Sequence, residues 1–256
     1  MKIGILTASR TNNIGTDLQT FAMQRIFSEY GKDVEVINYK CRKLENSHRI
    51  FLPSLSIRAI LLSPLRIYKN ISHWAFRKKY IRFSDQVYDD KSINQIDYDK
   101  VVVGSDQIWN LRITGNDLSF FLPFSREGMK KYSYAASLGV MDLTQWQREY
   151  NINKYLEDFE SVSVREESGV DALQRIGVSA QMNLDPLLMV PRVVWQSHAK
   201  RRARAEKYVF LYLVEYNEDA VAFAKRFAAE NNATVYFYSN GLRPKKGMRS
   251  VRFCSI

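Results

Sequence analysis

The first forty residues constrain the fold more than any other stretch. MKIGILTAS, Met1 to Ser9, keeps its apolar residues in an unbroken run, the pattern of a strand covered on both faces. After a polar loop, TDLQTFAMQRIFSEYG places Leu18, Phe21, Ala22 and Ile26 at helical spacing, with Gly31 where a helix C-terminus expects glycine. DVEVINYK then reads as a second strand. Strand, helix and strand in so short a span form a βαβ unit, and a βαβ unit implies a parallel sheet.

The alternation resumes later in the chain. KVVVGSD and KKYSYAASLG read as strands that end in small-residue turns. DLTQWQREYNINKYLEDFE reads as a helix with Asp142 as its N-cap. SVSVREESG is a strand and turn, VDALQRIG a short helix, and VSAQMNLDP a strand closed by Asp-Pro. The predicted fold is α/β: a doubly wound, mostly parallel sheet over residues 1–190. Residues 191–206 read as a linker with a basic run. Residues 207–256 carry a fresh strand, helix and strand, the start of a second, incomplete α/β domain.

Between Arg49 and Phe83 the pattern loosens, and apolar clusters alternate with basic residues. Pro53 and Pro64 are expected to break any single long helix, which leaves short amphipathic helices or a cover over one sheet edge. A basic amphipathic face of this kind can attach to an anionic membrane surface. The plainer reading is a helical insertion whose lysines and arginines extend along the surface into water.

Several classes are disfavoured. With 46% hydrophobic and 25% charged residues the chain has a globular composition. The apolar run Ile3–Ala8 is shorter than the ~7–15 residues of a signal-peptide core. No stretch approaches the ~18 apolar residues of a membrane span, so the expected location is cytoplasmic, extended at most to the inner face of the membrane. Cys41 and Cys254 give no disulfide framework. His48, His73 and His198 are isolated, and no metal site is predicted. The net charge of +11 suits an anionic partner, but HWAFRKKYIRF sits in no nucleic-acid-binding module, and no nucleic acid is predicted.

Ligands of open parallel sheets bind beyond the carboxyl ends of the strands. VVVGSDQIWN places Gly104, Ser105, Asp106 and Gln107 there, with Trp109 either a flat wall for a sugar or a core residue. YSYAASLG adds Ser137, SVREESG adds Arg165 and Glu166, and NLDP adds Asp185. The first strand hands off to Asn13 and Gly15 at a helix N-terminus, where free N–H groups favour anions. This loop has one glycine and is neither a dinucleotide fingerprint nor a Walker loop.

Four strings, NNIGTDLQTFA, VVGSDQIWN, YAASLG and SVREESG followed by LDP, taken in order, resemble the polysaccharide pyruvyl transferase family over residues 1–190. The resemblance implies a glycosyltransferase-B-like fold. It also implies transfer of a pyruvyl group from phosphoenolpyruvate to a sugar or lipid-linked saccharide of a cell-surface polysaccharide, with no further cofactor. On that reading Arg165 is the first choice to bind the donor, whose carboxylate and phosphate suit a planar guanidinium. Asn13, Gly15, Gly104, Ser105, Gln107, Trp109 and Ser137 would join it as substrate contacts. Asp106 and Asp185, then Glu166, are the candidates to take a proton from the sugar hydroxyl. The family's second domain has a Ser-Phe-His-Gly-like segment, and nothing similar follows Ser239. The expectation is therefore a C-terminally truncated member, weak or inactive alone unless a homo-oligomer or a complementing second-domain chain completes it. Two other readings stand: a nucleotide-sugar glycosyltransferase of similar architecture, and a non-enzymatic component of a polysaccharide-assembly complex.

Overall fold

A computed structural model describes residues 1–46, 57–140, 142–199, 206–213, 215–238 and 249–250. The chain begins with β1 (Lys2–Leu6), α1 (Ile14–Phe27), β2 (Asp33–Tyr39) and α2 (Arg42–Asn46). It continues through α3 (Ile57–Tyr80), β3 (Phe83–Tyr88), β4 (Lys100–Val103), α4 (Leu111–Thr114) and β5 (Lys130–Ser133). Then follow α5 (Thr144–Tyr150), α6 (Ile152–Leu156), β6 (Phe159–Ser161), β7 (Ser163–Val164), α7 (Glu167–Gln174) and β8 (Gln181–Met182). α8 (Pro186–Met189) and α9 (Arg192–His198) lead into β9 (Tyr208–Tyr212), α10 (Glu218–Glu230), β10 (Thr234–Tyr238) and β11 (Arg249–Ser250).

Six strands form one all-parallel sheet in the order β3-β2-β1-β4-β5-β6. Strand periodicity sorts its side chains onto two faces. Ile3 and Ile5 of β1, Val34 and Val36 of β2 and Val102 of β4 gather with Met23 of α1, and Phe21, Phe27 and Phe76 pack against them. Leu6, Ile37, Tyr39, Val101 and Val103 point the other way, into a larger core with Trp109, Phe120, Phe121, Trp146, Ile152 and Leu156. A sheet covered on both faces is what the unbroken apolar runs required. This helix-flanked parallel sheet is consistent with a glycosyltransferase-B-like doubly wound fold.

The chain divides into two compact units, Met1–Gln196 and Ser197–Ile256. The second holds a three-stranded parallel sheet, β11-β10-β9. Ala224 and Ala228 of α10 pack with Val235 of β10, and Val209 and Leu211 of β9 lie against them.

Local structure departs from the sequence reading in four places. α3 is one helix of 24 residues that runs through Pro64. A proline removes one backbone donor, and α3 stays continuous with side chains of its C-terminal half anchored on α1, as described below. β3, an edge strand, lies in a stretch whose polar Ser84, Asp85 and Gln86 hid it from an apolar-run criterion. The helix expected after Asp142 is two, because Asn151 adopts a left-handed conformation (φ 51°) between α5 and α6. Asp142 accepts from the Thr144 N–H at 2.9 Å, but the capping position falls on Leu143. Pro53, His48, Cys254, the basic run at 200–205 and the segment following Ser239 lie outside the described residues, apart from the short β11.

Candidate active site

The strand order reverses direction between β1 and β4, so the loops leaving these two strands diverge and open a crevice at their carboxyl ends. The loop after β1 ends at Asn13, whose side chain caps α1 by accepting from the Gly15 N–H at 2.9 Å. In the first turn of α1, Thr16 Oγ1 donates to Asp106 Oδ2 at 2.8 Å and so ties the two diverging loops together. The other oxygen of Asp106 accepts from the N–H of Gln107 at 2.7 Å.

From Asp106 a chain of hydrogen bonds runs past the end of β5 to the two-stranded parallel sheet β7-β8, which meets the segment after β5 at the Ala136–Val164 bridge. The Ser137 N–H donates to the Asp106 carbonyl at 3.1 Å, and Ser137 Oγ donates to Glu166 Oε1 at 2.9 Å. The same Glu166 oxygen accepts from Arg165 Nε at 3.0 Å, while Arg165 Nη1 donates to Asp185 Oδ2 at 3.1 Å. Asp185 Oδ1 caps α8 by accepting from the Leu187 N–H at 2.9 Å. All three candidate carboxylates, Arg165 and Ser137 thus belong to one connected network. Burial works against the Arg165 guanidinium, but its bonds and charge pairing with Glu166 and Asp185 prevail and raise its pKa. The remaining guanidinium nitrogen, Nη2, has no hydrogen-bond partner among the described residues.

Three predicted contacts are corrected by burial. Trp109 is fully enclosed: its indole stacks on Phe121 at 5.4 Å, meets Phe159 edge-on and donates from Nε1 to the Phe120 carbonyl at 2.9 Å. Neither ring face is open to a sugar. Ser105 is also fully buried and donates to the Ala135 carbonyl at 3.0 Å. Gly104 has φ +149°, and a Cβ there would sit 2.0 Å from the Tyr134 carbonyl oxygen. Its glycine admits the neighbouring chain, not a ligand. Gln107 stays half-buried, and its Oε1 accepts from Asn110 Nδ2 at 3.3 Å. Gly15 is exposed at the start of α1.

A second polar cluster went unseen in the sequence. Asp17, buried in the first turn of α1, accepts from His73 Nδ1 at 2.5 Å and from Arg77 Nε at 2.7 Å, both on α3. Arg77 also donates to the Thr11 carbonyl and, at 3.1 Å, to Asn12 Oδ1, and Asn12 Nδ2 donates to Asn70 Oδ1. α3 therefore holds the loop after β1 in place. His73 and Asp17 are 56 residues apart, and no local pattern marks the pairing. Beside that loop lies a shallow dimple lined by Thr7, Arg10, Thr11, Tyr39, Glu45 and Phe120. Arg10 spans its edge, donating from Nε to Glu45 at 2.5 Å and from Nη1 to Asn38 at 2.7 Å. Tyr134, at the end of β5, holds its phenolic proton above the usual range through burial first and then the nearby Asp185 charge.

Among the described residues, no group of three or more His, Cys, Asp or Glu side chains is placed to hold a metal ion. The arrangement offers one partly open guanidinium, three carboxylates joined through one hydrogen-bond network and a helix N-terminus, drawn from the ends of β1, β4 and β5 and of the separate β7–β8 pair. It can bind a small polyanion and accept a proton beside it. No curated protein and no solved structure shows significant similarity to the chain. The sequence model of the polysaccharide pyruvyl transferase family, a family of transferases in polysaccharide biosynthesis, matches residues 13–252. That span takes in the whole sheet edge from Asn13 to Asp185 and most of the second unit, and the chain belongs to the polysaccharide pyruvyl transferase family.

Proposed function

We propose that the chain transfers the pyruvyl group of phosphoenolpyruvate to hydroxyls of a sugar in a cell-surface polysaccharide or its lipid-linked precursor, on the cytoplasmic side of the membrane. The observation that carries this reading is Arg165, clamped between Glu166 and Asp185 with one guanidinium edge left over. Both carboxylates are engaged in holding the cation, so they are positioning residues. Asp106 is held by Thr16 and its own turn, and among the described residues no basic side chain is bonded to it. It is the carboxylate left to accept a proton.

The chemistry then runs in two additions at C2 of the donor. Protonation of the methylene carbon makes a methyl group and leaves cationic character at C2. A sugar hydroxyl adds there and loses its proton to Asp106. A second hydroxyl of the same sugar replaces the phosphate at C2, closing the ketal and releasing inorganic phosphate. In sum, one of the two hydroxyl protons resides in the methyl group and the other leaves with phosphate. Arg165 serves throughout by neutralising the donor's anionic groups in fixed geometry.

The test is calorimetric titration of the purified chain with phosphoenolpyruvate, alongside Arg165→Ala and with a nucleotide sugar as competitor. Binding that vanishes in the variant supports the reading. Heat of binding from the nucleotide sugar, with none from phosphoenolpyruvate, would replace it with a glycosyltransferase.

A further inference from the structure

α3 is unusual in both its charge and its exposure. Its 24 residues include six Lys or Arg and no Asp or Glu. One side is committed to the protein: His73 and Arg77 bind Asp17, and Phe76 packs edge-on against Phe21. The opposite side is apolar where it should be polar. Ile67, Ile71 and Trp74, spaced by four and three residues, are 43%, 56% and 59% exposed. Lys78 continues the same stripe and lies with Nζ 4.9 Å from the Trp74 ring centroid, and exposed Lys79 flanks it.

We infer that this stripe is a docking surface for an anionic membrane, with α3 lying in the headgroup plane. An apolar stripe with an aromatic at its centre and lysines at its rim is the pattern of interfacial helices. The charge selects the occupant. A helix with no acidic residue, in a chain of net charge +11, repels a second copy of itself and attracts a negative surface. No helix among the described residues is long and apolar enough to cross a membrane, so the contact would be peripheral. The inner side of α3 grips the loop after β1 through Arg77. Docking would therefore set the candidate active site at a fixed height above the bilayer. If the proposed function holds, lipid-linked acceptors are presented at that height.

Sedimentation of the full chain with vesicles tests this independently of any activity. Phosphatidylcholine vesicles containing phosphatidylglycerol should bind it at least tenfold better than phosphatidylcholine alone, and the advantage should shrink in high salt. Lys78→Glu/Lys79→Glu should weaken binding on the order of tenfold or more, since each basic residue near the surface contributes about 1 kcal/mol. Lys32→Glu/Lys91→Glu, the same charge change at exposed lysines elsewhere, should bind almost as well as the parent. Brominated lipid should quench fluorescence of the parent protein and much less in Trp74→Phe. Circular dichroism confirms that each variant is folded. Equal loss in both lysine pairs, binding unchanged by either, or quenching that persists in Trp74→Phe overturns the proposal. Concentration-dependent dimerisation abolished by Ile71→Ser would likewise overturn it and assign the stripe to a second copy of the chain.

Discussion

Thr16 on α1 and Asp106 after β4 are ninety residues apart in sequence and joined by a 2.8 Å hydrogen bond across the point where the sheet's strand order reverses. This bond fixes one Asp106 oxygen against α1, while the other accepts from the Gln107 N–H. It joins the first family motif to the second.

Asp106→Asn keeps the size of the side chain and removes its basicity. If Asp106 accepts the hydroxyl proton, phosphate release from phosphoenolpyruvate in the presence of acceptor should fall by about 10²–10⁴-fold. Donor binding by calorimetry should change little. Turnover within a fewfold of the parent would remove Asp106 from the chemistry.

Arg165→Lys preserves charge but not the fork that spans Glu166 and Asp185. An ammonium reaches one carboxylate at a time, so the donor should bind on the order of tenfold more weakly than to the parent. Arg165→Ala should be weaker still. Calorimetry on the three proteins checks the order, and equal affinities would show that the donor sits elsewhere.

Asp17→Ala leaves His73 and Arg77 buried against α1 without their shared acceptor. Breaking a buried ionic cluster costs about 3–5 kcal/mol, or a Tm drop on the order of 6 °C or more in a unit of this size. Differential scanning calorimetry measures it. Amide exchange should also rise in the loop from Thr11 to Asn13, which Arg77 holds. An unchanged Tm would mean the cluster contributes nothing net.

Gly104→Ala places a methyl group 2.0 Å from the Tyr134 carbonyl, at a φ that side chains disfavour. The neighbouring atom is backbone and cannot swing aside. A loss of at least about 2 kcal/mol is expected, read as a lower denaturation midpoint in urea. A midpoint equal to the parent's would contradict the close packing of the β4 and β5 ends.

Cys41 is buried beside Tyr39 and Leu44, and its thiol points to the Thr114 carbonyl at 3.5 Å. Burial pushes its pKa up from 9.0 to about 12. The folded state therefore favours the protonated thiol. Its contribution to stability is full below pH 9 and is lost as pH rises from 9 towards 12. In a Cys254→Ser background, iodoacetamide at pH 8 should leave Cys41 unmodified until urea unfolds the protein. Labelling at the rate of an unfolded thiol would refute the burial.

The sequence by itself determined the layer order and the identity of the family. The unbroken apolar runs of β1 and β4 could be satisfied only by a sheet covered on both faces, and the helix between β1 and β2 forced those strands parallel. The four motif strings also placed Asp106, Ser137, Arg165, Glu166 and Asp185 at strand ends, where one network now joins them. These features are local: periodicity and turn chemistry act within a few residues and can be read there. What only the tertiary structure decided is which polar group meets which. Trp109 follows a polar turn yet lies between Phe121 and Phe159, because the chain folds back over the sheet face just after it. His73 is isolated in the sequence, yet α3 brings it to Asp17, and Pro64 does not end that helix. Such outcomes depend on distances between segments far apart in sequence. A buried polar side chain takes whatever partner the packed fold supplies, and no single stretch of sequence encodes that choice.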